Sequence, residues 1–288
     1  MRQSDWATVQ TTAPICAKPA MDDAAYVGTI PEHHHRDIGP FLFEPYARHT
    51  AERVKALRPG RVLETACGTG IVTQRLREVL PGDALLVASD LNPPMLTMAR
   101  KIVSSEAHVE WTQADMCKLH FSDGAFDAVI CQFGLMFAPD KLAAVREARR
   151  VLRPGGSFLL TTWAPLERNP IVAVAHHAIT LLLAEDPPQY LRRTPFGFGD
   201  PDVLTDLLHE GGFRDVVVDV VEKATTSPSA NELAVGLIEG CPLADEIRAR
   251  GEARLPTVVG AVARAIARRY GDRPVKARVC ALVASALA

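Results

Sequence analysis

Within VLETACGTG (62–70) stand an acidic residue, Glu64, and two glycines, Gly68 and Gly70, directly ahead of the helical stretch IVTQRLREVL (71–80). RVLETA (61–66) reads as a short strand, so the glycines fall where a strand hands over to a helix. Glycine there lets the backbone approach a ligand closely, and the helix N-terminus turns free N–H groups toward it. A dinucleotide-binding turn of the form G-x-G-x-x-G requires glycine at position 73. Thr73 occupies that position, which weighs against a NAD(P)-dependent oxidoreductase. A further carboxylate, Asp90, closes ALLVASD (84–90) twenty residues beyond Gly70, and Asp115 lies in QADM (113–116).

Other groups invite chemistry less directly. HHH (33–35) suggests a metal, but adjacent helical residues point about 100° apart and cannot readily share one ion. No second ligand cluster accompanies them, so no metal is expected. His34 and His35 are instead candidates for the mouth of a site. His176 and His177 lie in the apolar stretch NPIVAVAHHAITLLLA (169–184). Either is a candidate general base if that helix roofs a pocket; otherwise one is buried and the other exposed. The six cysteines show no C-x-x-C or other metal-ligand spacing. Several sit in apolar runs, which implies a reducing compartment and packing roles, Cys67 included.

These residues depend on elements that the pattern supplies in alternation. Strands are expected at 61–66, 84–90, 107–115, 126–134 and 157–163, separated by helices at 71–80, 93–103 and 140–152, the last stopped by RPGG. Continuous apolar strands divided by such helices indicate a parallel sheet covered on both faces, a doubly wound α/β architecture. After residue 163 the alternation breaks. An apolar helix and the turn-rich PPQYLRRTPFGFGDP come next, then a helix opened by Asp200-Pro201 and a sixth strand at 214–224. Helices at 231–250 and 256–270 precede VKARVCALVASAL (275–287), a seventh strand expected to return antiparallel.

Acidic-x-small-x-Gly-x-Gly, read with the later motifs, resembles the class I S-adenosylmethionine (SAM)-dependent methyltransferases over roughly residues 26–223. The resemblance implies a Rossmann-like fold and SAM as cofactor. It implies that Glu64 braces the turn, that Gly68 and Gly70 lie beneath the methionine moiety, and that Asp90 accepts both ribose hydroxyls. Asp115 and the Met116 backbone N–H would clamp the adenine. Thr65, Ala66, Leu91, Met95, Ala114 and Gln132 complete the implied cofactor site. Ala66 replaces the usual first glycine of the turn, and its methyl fits if φ there is negative. VGTIPEHHHRDIGPFLFEPYA and DLNPPML look most like the type 11, ubiquinone/menaquinone C-methyltransferase-like group acting on small molecules. His34 and His35 stand where that group often has tyrosine and aspartate.

NPP (92–94) also resembles the acceptor-pocket motif of enzymes that methylate amino groups on bases or glutamine. There the motif ends the fourth strand, whereas here that strand ends in CQFG and the Pro-Pro pair opens the helix after strand two. Position 95 is Met, without an aromatic ring to stack on a planar substrate. NPP is therefore expected to cap a helix, with Asn92 as the cap and Pro93 in the first turn.

Lys+Arg 32 against Asp+Glu 34 gives a net charge of −2, without the basic excess usual in nucleic-acid binders. The first 30 residues lack the pattern of a secretory signal, and no apolar stretch is long enough to span a bilayer. A cytoplasmic enzyme without nucleic acid or membrane insertion is expected, with a homodimer as a further option. The expected division is an N-terminal segment contributing to the site (1–39), a SAM-binding core (40–163, 200–224 and 271–288) and helical cap insertions (164–199 and 225–270). The caps are expected to enclose a pocket lined by Ile171, Ala175, Phe196 or Phe198. The resulting function is methyl transfer from SAM to a small, apolar metabolite by in-line displacement. A catalytically silent SAM-binding or scaffold protein is the alternative.

Overall fold

The computed structural model describes residues 23–104 and 108–288. Seven strands form one sheet in the order β3-β2-β1-β4-β5-β7-β6. They are β1 (Arg61–Thr65), β2 (Leu85–Asp90), β3 (Val109–Gln113), β4 (Phe126–Gln132), β5 (Leu152–Trp163), β6 (Arg214–Ser227) and β7 (Val275–Leu287). β1 pairs parallel with β2 and β4; β2–β3 and β4–β5 are also parallel. β7 is antiparallel to both β5 and β6, as expected. The chain winds outward in both directions from β1 and β4, and such sheets open a crevice at the strand ends where the winding reverses. The expected third strand begins at Ala107, which lies outside the described residues, as does everything before Asp23.

Helices α3 (Ile71–Val79), α4 (Pro93–Ile102), α5 (Lys141–Val151) and α8 (Pro201–Glu210) connect the parallel strands. The opener Asp200 behaves as the sequence implies, and Asp140 caps its helix in the same way. Asp140 accepts the Ala143 N–H at 2.9 Å, and Asp200 accepts the N–H of Asp202 at 2.8 Å. Asn92 holds the N-cap position of α4, but its side chain makes no cap bond; it reaches a different segment, described below. RPGG (153–156) does not simply stop α5. It is a bulged excursion inside β5, between the pairings Phe126↔Leu152 and Ala128↔Ser157.

Before β1 the chain forms one continuous helical stretch: α1 (Ile30–His33), a π-helical segment (His34–Phe43) and α2 (Glu44–Leu57). In the π segment the Glu44 N–H reaches back to the Gly39 carbonyl, an i→i−5 bond. Such winding is rare and usually confined to a single turn; here it persists for ten residues.

Further α-helices are α6 (Pro170–Leu182), α7 (Tyr190–Arg193), α9 (Ala230–Glu239), α10 (Leu243–Arg248) and α11 (Arg254–Tyr270). The helix expected over 231–250 is broken at Gly240-Cys241-Pro242 into α9 and α10. α6, α9 and α11 share one apolar cluster with the π segment and Trp163. Val258, Val262 and Ile266 of α11 are fully buried, while Arg264 and Arg268 are exposed. Asn169 at the head of α6 is completely buried. Its amide bridges both polar groups of Cys280, donating to the carbonyl at 3.0 Å and accepting the N–H at 2.8 Å, which pins α6 to β7.

Candidate active site

Where β1 meets α3, Gly68 and Gly70 adopt left-handed φ of +56° and +83°. A Cβ on Gly70 would stand 2.9 Å from Val103 and 3.2 Å from Ala99, so glycine is also what lets α4 pack against the turn. Ala66 corrects the expectation of negative φ: it is left-handed at +52°. An L-residue there carries a steric cost of about 1–2 kcal/mol, the physical reason for glycine at such a place. The Ala66 methyl fits because Gly134 opposite has no side chain; a Cβ there would come within 2.5 Å of it.

Glu64 is buried behind this turn and receives a 2.7 Å hydrogen bond from the Thr73 hydroxyl. Burial pushes its carboxyl pKa up to about 8. Glu64, Thr65 and Gly70 therefore support the turn from behind, while Ala66, Gly68, Asp90, Leu91, Met95, Ala114, Asp115, Met116 and Gln132 line a cavity at the strand ends. Cys67 lines it as well, but burial holds its thiol well above the ordinary range, so it stays protonated.

Asp90 is 6% exposed and its carboxylate spans the turn. One oxygen accepts the Gly68 N–H and the other the Asn92 N–H, each at 2.8 Å. Burial raises its pKa while those N–H groups counter the shift. Asn92 turns away from its own helix. It donates to the Ala24 carbonyl at 3.0 Å and accepts the Tyr26 N–H at 3.3 Å. Asp115 is exposed and accepts the Cys117 N–H at 2.8 Å. Gln132 is held by Thr50 and by the Phe43 carbonyl.

The three consecutive histidines take three different partners. His33 pairs with Asp37 at 2.7 Å, and His35 meets the Thr69 hydroxyl at 3.2 Å. His34 Nδ1 lies 3.1 Å from the Gly240 carbonyl. A carbonyl only accepts, so Nδ1 carries the proton and Nε2 keeps its lone pair. That Nε2 is directed at the turn, 4.0 Å from where a Cβ of Gly68 would stand. Burial lowers the His34 pKa to about 4, so the ring is neutral. His34 lines the cavity; His35 supports the turn from one side. His176 receives a hydrogen bond from Arg192 and His177 is exposed, and neither is among the lining residues.

A family described as "Methyltransferase domain" matches residues 62–156. A demethylmenaquinone methyltransferase of Deinococcus radiodurans is 31% identical over 179 residues, covering 59% of this chain and 74% of its own. A ubiquinone/menaquinone biosynthesis C-methyltransferase of Proteus mirabilis is 29% identical, covering 59% and 73%. The chain belongs to the class I SAM-dependent methyltransferases. It is an enzyme, and its cofactor is SAM. The fold agrees with that of solved structures. A phosphoethanolamine N-methyltransferase of Haemonchus contortus, complexed with S-adenosylhomocysteine, superposes with a TM-score of 0.56 at 16% identity, over 89% of this chain and 56% of that one. The YcgJ protein of Bacillus subtilis gives 0.51 at 18% identity, over 83% and 97%.

The other half of the methyltransferase's cavity is aromatic. Phe133 and Trp163 stack at 3.9 Å, and Phe196 stacks on Trp163 at 5.7 Å. Phe133 is left-handed, with φ of +57°, at the end of β4; the strained backbone there presents its ring to Trp163. Phe43 stacks on His34 at 4.7 Å. Val172, Leu191, Leu237 and Cys241 bring α6, α7 and the α9–α10 break into the lining. Of the pocket residues expected in these segments, Phe196 lines the cavity. Ile171 and Ala175 are buried in the cluster behind it, and Phe198 packs beneath the Lys141 ammonium. Tyr26, Phe43, Phe133, Trp163 and Tyr190 were not singled out by sequence. The signal available was an excess of aromatics at strand ends and in the segment 26–43, which single-sequence spacing does not distinguish from core. Among the described residues no helix is long and apolar enough to cross a membrane.

Proposed function

We propose that this methyltransferase transfers a methyl group to a small, largely apolar, ring-bearing acceptor. The observation that carries the reading is the Phe133–Trp163–Phe196 stack in the cavity wall, continuous with the turn at Gly68. Stacked rings offer a flat apolar surface that favours a planar ligand. The names of the relatives above, which act on quinone precursors, support the same class.

SAM supplies an electrophilic methyl on a sulfonium, whose departure as a thioether needs no acid. The residues present fit this cofactor. Asp90 accepts a backbone N–H on each oxygen and a long 3.5 Å bond from the Asn92 amide on Oδ1, which leaves Oδ2 the better acceptor for the vicinal ribose hydroxyls. Asp115 and the Met116 N–H serve the adenine, and Ala66, Gly68, Leu91 and Met95 the remaining surface, with Glu64, Thr65 and Gly70 bracing the turn. Gln132 and the segments 164–199 and 225–270 close the acceptor side. Excluding water and holding the acceptor in line supply most of the rate. His34, fixed in one tautomer with a bare Nε2 toward the turn, is suited to accept a hydrogen bond from the acceptor and so orient it.

The test is incorporation of labelled methyl from SAM into demethylated naphthoquinols and, in parallel, a metabolite extract, RNA and DNA. Label entering an apolar aromatic fraction supports the reading. Label confined to nucleic acid would overturn it.

A further inference from the structure

Besides His34 and Gln132, the acceptor half of the cavity carries one further polar pair among apolar and aromatic neighbours. Tyr26 and Tyr190, 164 residues apart, bring their hydroxyls to 3.2 Å, and both side chains line the cavity. Tyr190 is 2% exposed and sits at the head of α7, its N–H bonded to Glu246 at 3.0 Å. Tyr26 stands on the segment that Asn92 holds from the cofactor side. From the cap side, Arg193 binds Asp23 through two hydrogen bonds of 2.7 and 2.5 Å. The Tyr26 ring meets His34 edge-on at 5.5 Å. The phenol pair is thus one ring away from the imidazole that faces Gly68.

Burial raises both phenol pKa values, so both hydroxyls stay protonated. Two protons and four lone pairs are present. The bond between the hydroxyls uses one of each. Among the described residues neither hydroxyl has a further hydrogen-bond partner, so the second proton is left without an acceptor. A buried donor without a good acceptor is costly, and a ligand oxygen would satisfy it.

We propose that the Tyr26–Tyr190 hydroxyl pair recognises an oxygen substituent, a ring carbonyl or ring hydroxyl, on the acceptor. The pair offers one donor to a carbonyl, or a donor and an acceptor together to a hydroxyl. It thereby fixes which edge of the ring lies beside His34. This rests on the apolar-ring reading above and adds to it a preference that stacking alone does not produce.

The test measures binding of 1-naphthol, 1,4-dihydroxynaphthalene and 1-methylnaphthalene to the S-adenosylhomocysteine-loaded enzyme, for wild type, Tyr26→Phe and Tyr190→Phe. Wild type is expected to prefer 1-naphthol over 1-methylnaphthalene by roughly tenfold. Each phenylalanine variant should lose most of that preference, while 1-methylnaphthalene and S-adenosylhomocysteine bind as before. A preference that survives both substitutions would overturn the proposal. So would an equal loss for oxygenated and oxygen-free ligands, which would make the pair only a tie between the N-terminal segment and α7. Failure of every naphthalene to bind wild type would instead overturn the apolar-ring reading, and this inference with it.

Discussion

On the β1–β3 side of the cavity, polar atoms are positioned by backbone. Asp90 spans two N–H groups, Asp115 takes a third, and the left-handed turn at 66–70 is braced by Glu64 and Thr73. On the α6–α9 side, rings are positioned by other rings, and the polar pair Tyr26–Tyr190 joins segments far apart in sequence. Hydrogen bonds to backbone fix atoms to a fraction of an ångström and suit an invariant cofactor. Packed rings fix a slot and leave its occupant to size and shape. On the function proposed above, one side would specify a molecule and the other a class of molecules.

Substitutions should therefore separate the halves. The largest effect is expected from Trp163→Ala, which empties the centre of the ring stack. It should cost about 3–5 kcal/mol of stability and most of the acceptor-dependent kcat/KM. Calorimetry should show SAM affinity little changed; an equal loss of SAM affinity would mean the halves are one unit.

A pH effect comes next. Glu64 has its folded pKa raised from 4.5 to about 8. Its contribution is fully present below pH 4.5 and is lost as pH rises through 8, an effect on the order of a few kcal/mol. His34 works oppositely, its folded pKa being lowered from 6.5 to about 4; it costs stability only as pH falls below 6.5. Melting temperatures of cofactor-free wild type should thus fall between pH 6.5 and 8.5, and Glu64→Gln should flatten that limb. A limb that persists in the variant would assign it to other groups.

Asp90→Ala should weaken SAM by about 1.5–3 kcal/mol, roughly ten- to a hundredfold by titration calorimetry, without altering the slot. Unchanged affinity would remove Asp90 from the cofactor half. The smallest effect is Ala66→Gly. Relief of the left-handed alanine should raise stability by about 1 kcal/mol in denaturant titration, and a loss would show that the methyl's contact at Gly134 matters more.

The turn and carboxylate at the strand ends were largely legible because their determinants are local. A strand, two glycines and a carboxylate closing the next strand recur at short spacing within 61–116. The alternation of strands and helices likewise gave the sheet and the antiparallel return of β7. What spacing concealed was long-range or conformational. Tyr26 and Tyr190 meet only after the cap folds back. The sign of φ at Ala66 is set by the turn around it, not by its side chain. Asn92 occupies a cap position, but its side chain bonds to the segment at 24–26, far away in sequence. His176 and His177 share an apolar helix, yet their side of it lies away from the lining.

The π segment has a consequence for tolerance to insertion and deletion. Removing one residue between His34 and Phe43 would shorten the π winding, and everything before it would advance one position, about 100° of rotation. His33 would then occupy the slot that His34 holds beside Gly68; one added residue would deliver His35 there instead. A run of three identical side chains makes the occupant of that slot independent of phase. Tyr26, with no tyrosine on either side of it, has no such protection, so a one-residue slip would keep the imidazole and lose the phenol.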